Sequence, residues 1–450
     1  MKKGVLTVAC VACVAAIVLF SSKVGSGRKT ATLFGSCSPG FSDAPSSMPI
    51  PPSPTPVKLT GSPLSYVRQS IRIIAEGILD LSECPELSFD ECIVEIEVCG
   101  SEEENVLLPM SGGFRISASK GTVIVLKGWR FSTKQAFSIV CHDACSLALV
   151  ECRLSSEEEI AIGQHHGKGI EFLRCEIGPA SKIRVFNGGI RFRECRFSDS
   201  ILRVSGADPV TFTGCTAQMA HIYCFDCEGV VIVGSVLGTL RCKYVKLTTV
   251  LNTEFSSRYA RPYTEAIGTC GLEVDVGKCA LDGVRVDNVR VILSWAECEF
   301  TSCILDSDGL FAGERIKFEA KDSVFMLSEQ SDAWRKPPGK SPTSIYFLSE
   351  KFSFERCLVL SKLPASPVRD LSKWLPAAHD SVFFDVGEQR VLWVKIAENA
   401  IHALDYSDVP LDKQHLESLV ATIRGMIAAK SPPAQIYQRV LSEVGIASEN

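Results

Sequence analysis

The stretches GIEFLRCEI (169–177) and GIRFRECRF (189–197) decide how this chain folds. In each, two apolar residues stand at alternate positions, two residues intervene, and a cysteine, any residue and another apolar residue follow. Alternation sends successive side chains to opposite faces of a strand, so Ile170 and Phe172 share one face, as do Ile190 and Phe192. Across the intervening pair, such as Arg193 and Glu194, the phase slips by one. A two-residue corner produces that slip, because it bends the chain between two short strands and lets both point inward.

Working outward, the unit recurs as Val210/Phe212/Cys215/Ala217 and Val230/Ile232/Ser235/Leu237, which gives four copies 20 residues apart. Eight more follow the pattern with looser spacing. They are Leu87/Phe89/Cys92/Val94, Ile124/Leu126/Trp129/Phe131, Leu147/Leu149/Cys152/Leu154, Thr248/Val250/Thr253/Phe255, Val274/Val276/Cys279/Leu281, Leu293/Trp295/Cys298/Phe300, Phe318/Ala320/Ser323/Phe325 and Phe352/Phe354/Cys357/Val359. A corner every 20 to 25 residues winds the chain into coils whose strands stack about 4.8 Å apart. The expected fold is therefore all-β: a single-stranded right-handed parallel β-helix, with a small C-terminal helical cap and an N-terminal hydrophobic helix. A β-sandwich or propeller is the other use of short strands, but a propeller blade needs about 40 residues per repeat.

These runs, with RVILSWAECEF (290–300) and KFSFERCLV (351–359), resemble the strand–corner–strand segments of the pectin-lyase-like right-handed β-helix superfamily over roughly residues 85–360. What the resemblance implies is structural, since that stacking unit serves lyases, hydrolases, adhesins and phage tailspikes alike. The polysaccharide-cleaving members would bring clustered Asp residues with an Arg or Lys beside them. Here RYARPY, with Arg258, Arg261 and Pro262, is superficially similar to the arginine segment of pectate lyases, and ERIKF, with Arg315 and Lys317, to a polygalacturonase triplet. The Asp-rich calcium site, the Trp-Ile-Asp-His run, the paired Asp motifs and Gly-His-Gly are all missing. No catalytic residue is assigned, and the binding residues are not read.

Of the 20 cysteines, 18 lie beyond the first apolar segment. Eight take the position after the corner: Cys92, Cys152, Cys175, Cys195, Cys215, Cys279, Cys298 and Cys357. A disulfide framework is one reading, natural to an exported protein. A ladder of buried thiols, with Ser235, Thr253 and Ser323 as substitutes, is the other. Stacked neighbours sit about 4.8 Å apart, whereas bridged Cβ atoms prefer about 3.8 Å, which favours the ladder. Cys224 and Cys227 have the spacing of redox and zinc sites, with His221 nearby, yet lack a second pair. Ordinary packing or a local bridge is the reading there. Cys141 with Cys145 forms a further close pair, and His165 with His166 in GQHHGKG could coordinate a metal but read first as a polar loop. No metal or cofactor is expected.

Lys2 and Lys3 precede an apolar and small-residue run from Gly4 to Phe20, which fits an export signal and falls slightly short of the roughly 20 residues of a spanning helix. Residues 1–29 are thus a signal peptide or a signal anchor. Residues 30–60, crowded with Pro and Ser, form a linker. Residues 61–405 form the β-helix and 406–450 a two-helix cap. The cap is expected to start near Asp408 and Pro410, with Leu411, Leu416, Leu419, Val420, Ile423 and Ile427 on one stripe and Ile436, Tyr437, Val440, Leu441 and Val444 on the next. It would shield the exposed end of the β-helix. Before it, Ser381–Val386 and Val391–Ile396 read as a hairpin or last coil.

A net charge of −5 with 46% apolar residues describes a folded chain without bias toward nucleic acid, which is not an expected partner. The functional expectation is an exported protein, membrane-anchored in the cell envelope or periplasm or secreted after cleavage. Its role would be non-enzymatic binding or scaffolding, with the membrane and an envelope glycan or protein as partners. The alternative is a polysaccharide lyase or glycoside hydrolase with an unfamiliar site in the loops at 256–270 and 326–345.

Overall fold

The computed structural model describes residues 57–258, 270–327, 345–361, 378–396 and 404–444, with breaks of one to four residues inside these ranges. Segment 1–29 and nearly all of 30–60 lie outside them. The described chain forms a right-handed parallel β-helix of about 11 turns. Each central turn contributes a strand to each of three parallel sheets.

One coil shows how the sequence makes the turn. Strand Lys182–Arg193 begins in the first sheet, bends at Asn187 and Gly188, and ends in the second sheet. A corner at Glu194 and Cys195 then leads into Arg196–Ser198 of the third sheet. Phe172, Phe192, Phe212 and Ile232 are register partners in the second sheet. The rings stack parallel, with centroids 4.6 Å apart for Phe172–Phe192 and 4.9 Å for Phe192–Phe212. Aromatic and β-branched side chains so stacked are what a pleated, fully buried inner face favours.

The corner is built from the backbone outward. Its first residue is left-handed in coil after coil: Glu151, Arg174, Glu194, Gly214, Gly234 and Asn252 have φ between 48° and 62°. That conformation aims its N–H along the helix axis, so Glu194 N–H reaches the Thr213 carbonyl at 2.8 Å. The next residue's N–H points the same way and meets a side chain of the following coil. Cys215 N–H donates to Ser235 Oγ, Cys303 N–H to Ser323 Oγ and Cys357 N–H to Ser381 Oγ, each at 3.1 Å. The hydroxyl passes its own hydrogen back to a carbonyl, Ser235 Oγ to Val233 O at 3.2 Å and Ser323 Oγ to Lys321 O at 2.7 Å. Thiols do likewise: Cys195 Sγ–H lies 3.4 Å from both the Phe172 and Arg193 carbonyls. The position therefore selects a small side chain carrying one hydrogen and one lone pair.

Cys152, Cys175, Cys195, Cys215, Ser235 and Cys357 all occupy this position, each at most 1% exposed. Thr253, Cys303 and Ser323 share it, and Val284 and Trp129 fill it with apolar bulk, the indole N–H of Trp129 reaching Ile96 O at 3.2 Å. Three residues expected there stand elsewhere. Cys92 follows left-handed Glu91 at the bend between the first and second sheets, where its N–H donates to Thr122 Oγ1. Cys279 and Cys298 lie within the second sheet, stacked in register on each other and on Thr248. The reason is degeneracy. Both bends use a left-handed residue followed by a small buried one, as at Glu91 and Cys92, and the copies with Cys279 and Cys298 span the bend between the first and second sheets, so a similar pattern marks either bend.

The C-terminal elements also differ from expectation. Strand Ser381–Asp385 pairs antiparallel with Arg390–Ile396, as a hairpin, but Leu404–Pro410 adds a third strand instead of starting a helix. Helix α1 (Lys413–Ala428) begins one turn later, capped by Asp412, whose carboxylate accepts from His415 N–H at 2.8 Å. With α2 (Pro433–Glu443) it covers the outer face of the third sheet, not the end of the coil. Earlier in that sheet the outward residues are Arg153, Glu176 and Arg196; later they become Ile304, Val324, Leu358 and Val382. These bury against Leu416, Leu419, Ile423, Ile436, Tyr437 and Val440. The runs Val324–Phe325–Met326 and Leu358–Val359–Leu360, apolar on both faces, carry that signal in the sequence.

Cys195→Asp places a charge among buried groups with no cation to meet it and is expected to cost about 3–5 kcal/mol in urea unfolding. Cys195→Ala should cost about 1 kcal/mol and Arg191→Asp, on the exposed face, less than that. Equal costs at the three would mean the corner is not buried as described.

Candidate functional site

Most of the outer surface is electrically matched from coil to coil. Arg72 pairs with Glu95 at 3.2 Å, Lys127 with Glu97 at 2.6 Å, Arg174 with Glu151 at 3.1 Å and Arg193 with Glu171 at 3.1 Å. Such exposed pairs contribute about 0–1 kcal/mol each, and their larger effect is to leave the surface without a net field.

One face departs from this. Four successive strands of the first sheet carry the segments Lys182–Phe186, 201–205, 221–225 and 239–243, and none contains Asp or Glu. Because every second residue faces out, Arg184, Arg203, Tyr223 and Arg241 form one in-register outer column. Phe186, Ser205, Phe225 and Lys243 form the next. Arg184 lies over the Phe186 ring at 5.7 Å and Arg241 over the Tyr223 ring at 5.6 Å. Phe186 can lie against the sheet because its register partner is Gly163, where a Cβ would meet the ring at 2.0 Å. His221, only 5% exposed, stacks 6.0 Å from Tyr223.

The borders of the face are acidic. Glu273 takes up Arg241 at 3.1 Å and Asp275 approaches Lys243 at 3.8 Å on one side, and Glu159 stands in register with Lys182 on the other. Between them Arg184 and Arg203 are exposed and no described carboxylate lies within ion-pair distance of either. A planar guanidinium free to bind bidentately beside an aromatic face suits a carboxylate- or phosphate-bearing chain laid along the coil axis. The column was legible: Arg184, Arg203, Tyr223 and Arg241 follow one another by a coil length, opposite the inward Val185, Val204, Cys224 and Cys242.

Other candidates carry less. Arg258 is exposed, and Lys317 is engaged in a surface ion pair with Glu319. Arg261, Pro262 and Arg315, most of the two long loops, and the side chains of His165 and His166 lie outside the described residues. Among the described residues no group of three or more His, Cys, Asp or Glu is arranged to hold a metal, and no helix is long and apolar enough to cross a membrane. Cys224 stacks in register on Cys242 inside the coil while Cys227 follows the bend, so the two cysteines of the CxxC belong to different stacks.

The 16 cysteines whose side chains the structure describes are free thiols and 15 of them are buried, Cys99 being the exception. Burial pushes Cys141, Cys303 and Cys357 up to about 12, far from the thiolate that nucleophilic or redox work requires. Compared with known proteins, the chain matches no family model, no curated protein and no solved structure.

Thiols whose folded pKa lies above the unfolded value stabilise the fold below pH 9, and that contribution is lost as pH rises through about 12. Each of the three should remove about 1.4 kcal/mol per pH unit in that window. Urea unfolding at pH 8 and 10.5 reads this directly. In the native protein a maleimide probe should label Cys99 well before the other described cysteines.

Proposed function

We propose that this chain is an exported, membrane-tethered scaffold of the cell envelope that binds through the basic and aromatic face of its first sheet and performs no catalysis. The observation that carries the reading is the pair Arg184 and Arg203, exposed, with no described carboxylate within ion-pair distance, on a run of four strand segments that holds no Asp or Glu. The apolar run Gly4–Phe20 behind Lys2 and Lys3 supports export and tethering, and the Pro-rich stretch after it would hold the coil away from the bilayer. The pectin-lyase-like resemblance supports a polymer partner, since parallel coils present a long regular face. Absence of paired carboxylates from that face speaks against glycoside cleavage there.

The test uses the full-length protein in detergent, passed over immobilised envelope polymers and envelope proteins at low and high salt. Retention that weakens with salt and falls at least tenfold in the double variant Arg184→Glu/Arg203→Glu is expected. Absence of retention, or retention indifferent to the double variant, would overturn the assignment of this face. Release of soluble sugars from the same polymers would replace it with the lyase or hydrolase reading.

A further inference from the structure

Beside that face, where the first sheet bends into the second, the surface has an open hollow of about 490 Å³. Tyr244, Lys246, Val276, Lys278 and Glu297 line it. Tyr244 is 49% exposed and Val276 39% exposed, so an aromatic ring and an aliphatic side chain stand together at the surface of this hollow. Phe225 meets the Tyr244 ring edge-on at 5.4 Å, and Lys243 lies 5.2 Å over it, so the ring is held upright. The rim is polar yet balanced: Lys246 pairs with Glu228, and Lys278 with Glu297 at 3.0 Å.

The backbone supplies an independent observation. Val276 has φ 66°, a left-handed conformation that a β-branched residue adopts only at a cost. In the two preceding coils the left-handed residues of this bend are Asp226 and Tyr244, neither of them β-branched. Gly277 fixes the geometry, since a Cβ there would lie 1.9 Å from the Val245 carbonyl oxygen. The strain thus holds an apolar wall out toward solvent where an Asn or Gly would form the bend with less.

We propose that this hollow is a binding subsite for a neutral saccharide unit, one or two pyranose rings. A pyranose has an apolar C–H face for Tyr244 and Val276 and a polar edge for the Lys246–Glu228 and Lys278–Glu297 pairs, which both donate and accept hydrogen bonds. The balanced rim disfavours a charged ligand, so the subsite differs in chemistry from the basic face and stands without it.

Saturation-transfer NMR on the full-length protein in a phosphocholine detergent, with cellobiose, maltose and chitobiose as probes, tests this. Transfer to the ring protons of at least one probe is expected, reduced several-fold by Tyr244→Ala and by Val276→Asn. The second variant also controls for folding, because asparagine suits the left-handed bend and the melting temperature should stay at or above that of the parent. Arg184→Glu/Arg203→Glu should leave the transfer unchanged, which separates this subsite from the face described above. No transfer to any probe, or transfer surviving both Tyr244→Ala and Val276→Asn, would overturn the proposal.

Discussion

The fold depends on what happens to one N–H per coil. A left-handed corner residue turns the chain sharply enough to keep two flanking strands facing inward, but it leaves the following N–H aimed along the axis with no strand carbonyl opposite. In most coils a hydroxyl or thiol of the next coil stands at that place, as Ser235 does for Cys215 and Ser323 for Cys303, whereas Val284 and Trp129 bring apolar bulk instead. Each such bond adds only about 0.5–1.5 kcal/mol, yet leaving the N–H buried and unmet costs about 1–3 kcal/mol at every turn. The same requirement explains the cysteine content. A thiol is small, apolar enough for the lumen, and able to donate to the carbonyls at 3.4 Å that surround Cys195.

Once the inside is fixed by this repeat, the outside is free to vary by coil length. Ion pairs between stacked coils are the ordinary use of that freedom, as at Arg174 and Glu151. Two regions use it differently. In the third sheet the outward positions turn apolar from Ile304 onward and bury under α1 and α2, with Arg285 bonding the Lys430 and Ser431 carbonyls at 2.9 and 3.1 Å to fix the end of α1. In the first sheet they turn basic and aromatic from Lys182 to Lys243 and remain exposed. A parallel coil makes such columns cheaply, because one residue changed at the same offset in successive repeats builds a continuous stripe.

The inward pattern was legible in the sequence because buried alternation has a period that nothing else imitates: Ile170, Phe172, Cys175 and Ile177 are read and found inside. Which bend a copy marks was not legible, as Cys92, Cys279 and Cys298 demonstrate, since two bends of a coil impose the same local pattern. The seat of the helix pair was missed for a different reason. Amphipathic stripes at Leu416, Leu419 and Ile423 announce that a face is buried but not against what, and the complementary clue lay a hundred residues away in Val324–Phe325–Met326. The candidate site had a signal too, the arginines at coil-length spacing. It was passed over because charged outward residues on a strand are ordinarily solvated, and only the lack of acidic register partners sets Arg184 and Arg203 apart.

Equilibrium urea unfolding of Ser235→Thr beside Ser235→Val tests the corner requirement most directly, since the two side chains have the same shape and differ by the hydroxyl. Threonine already stands at this position as Thr253, with its hydroxyl 3.0 Å from the Leu251 carbonyl. If the Cys215 N–H needs an acceptor, the threonine variant will be more stable than the valine variant by about 1–3 kcal/mol. Equal stability of the two would contradict the view that this hydrogen bond governs which residues the corner accepts.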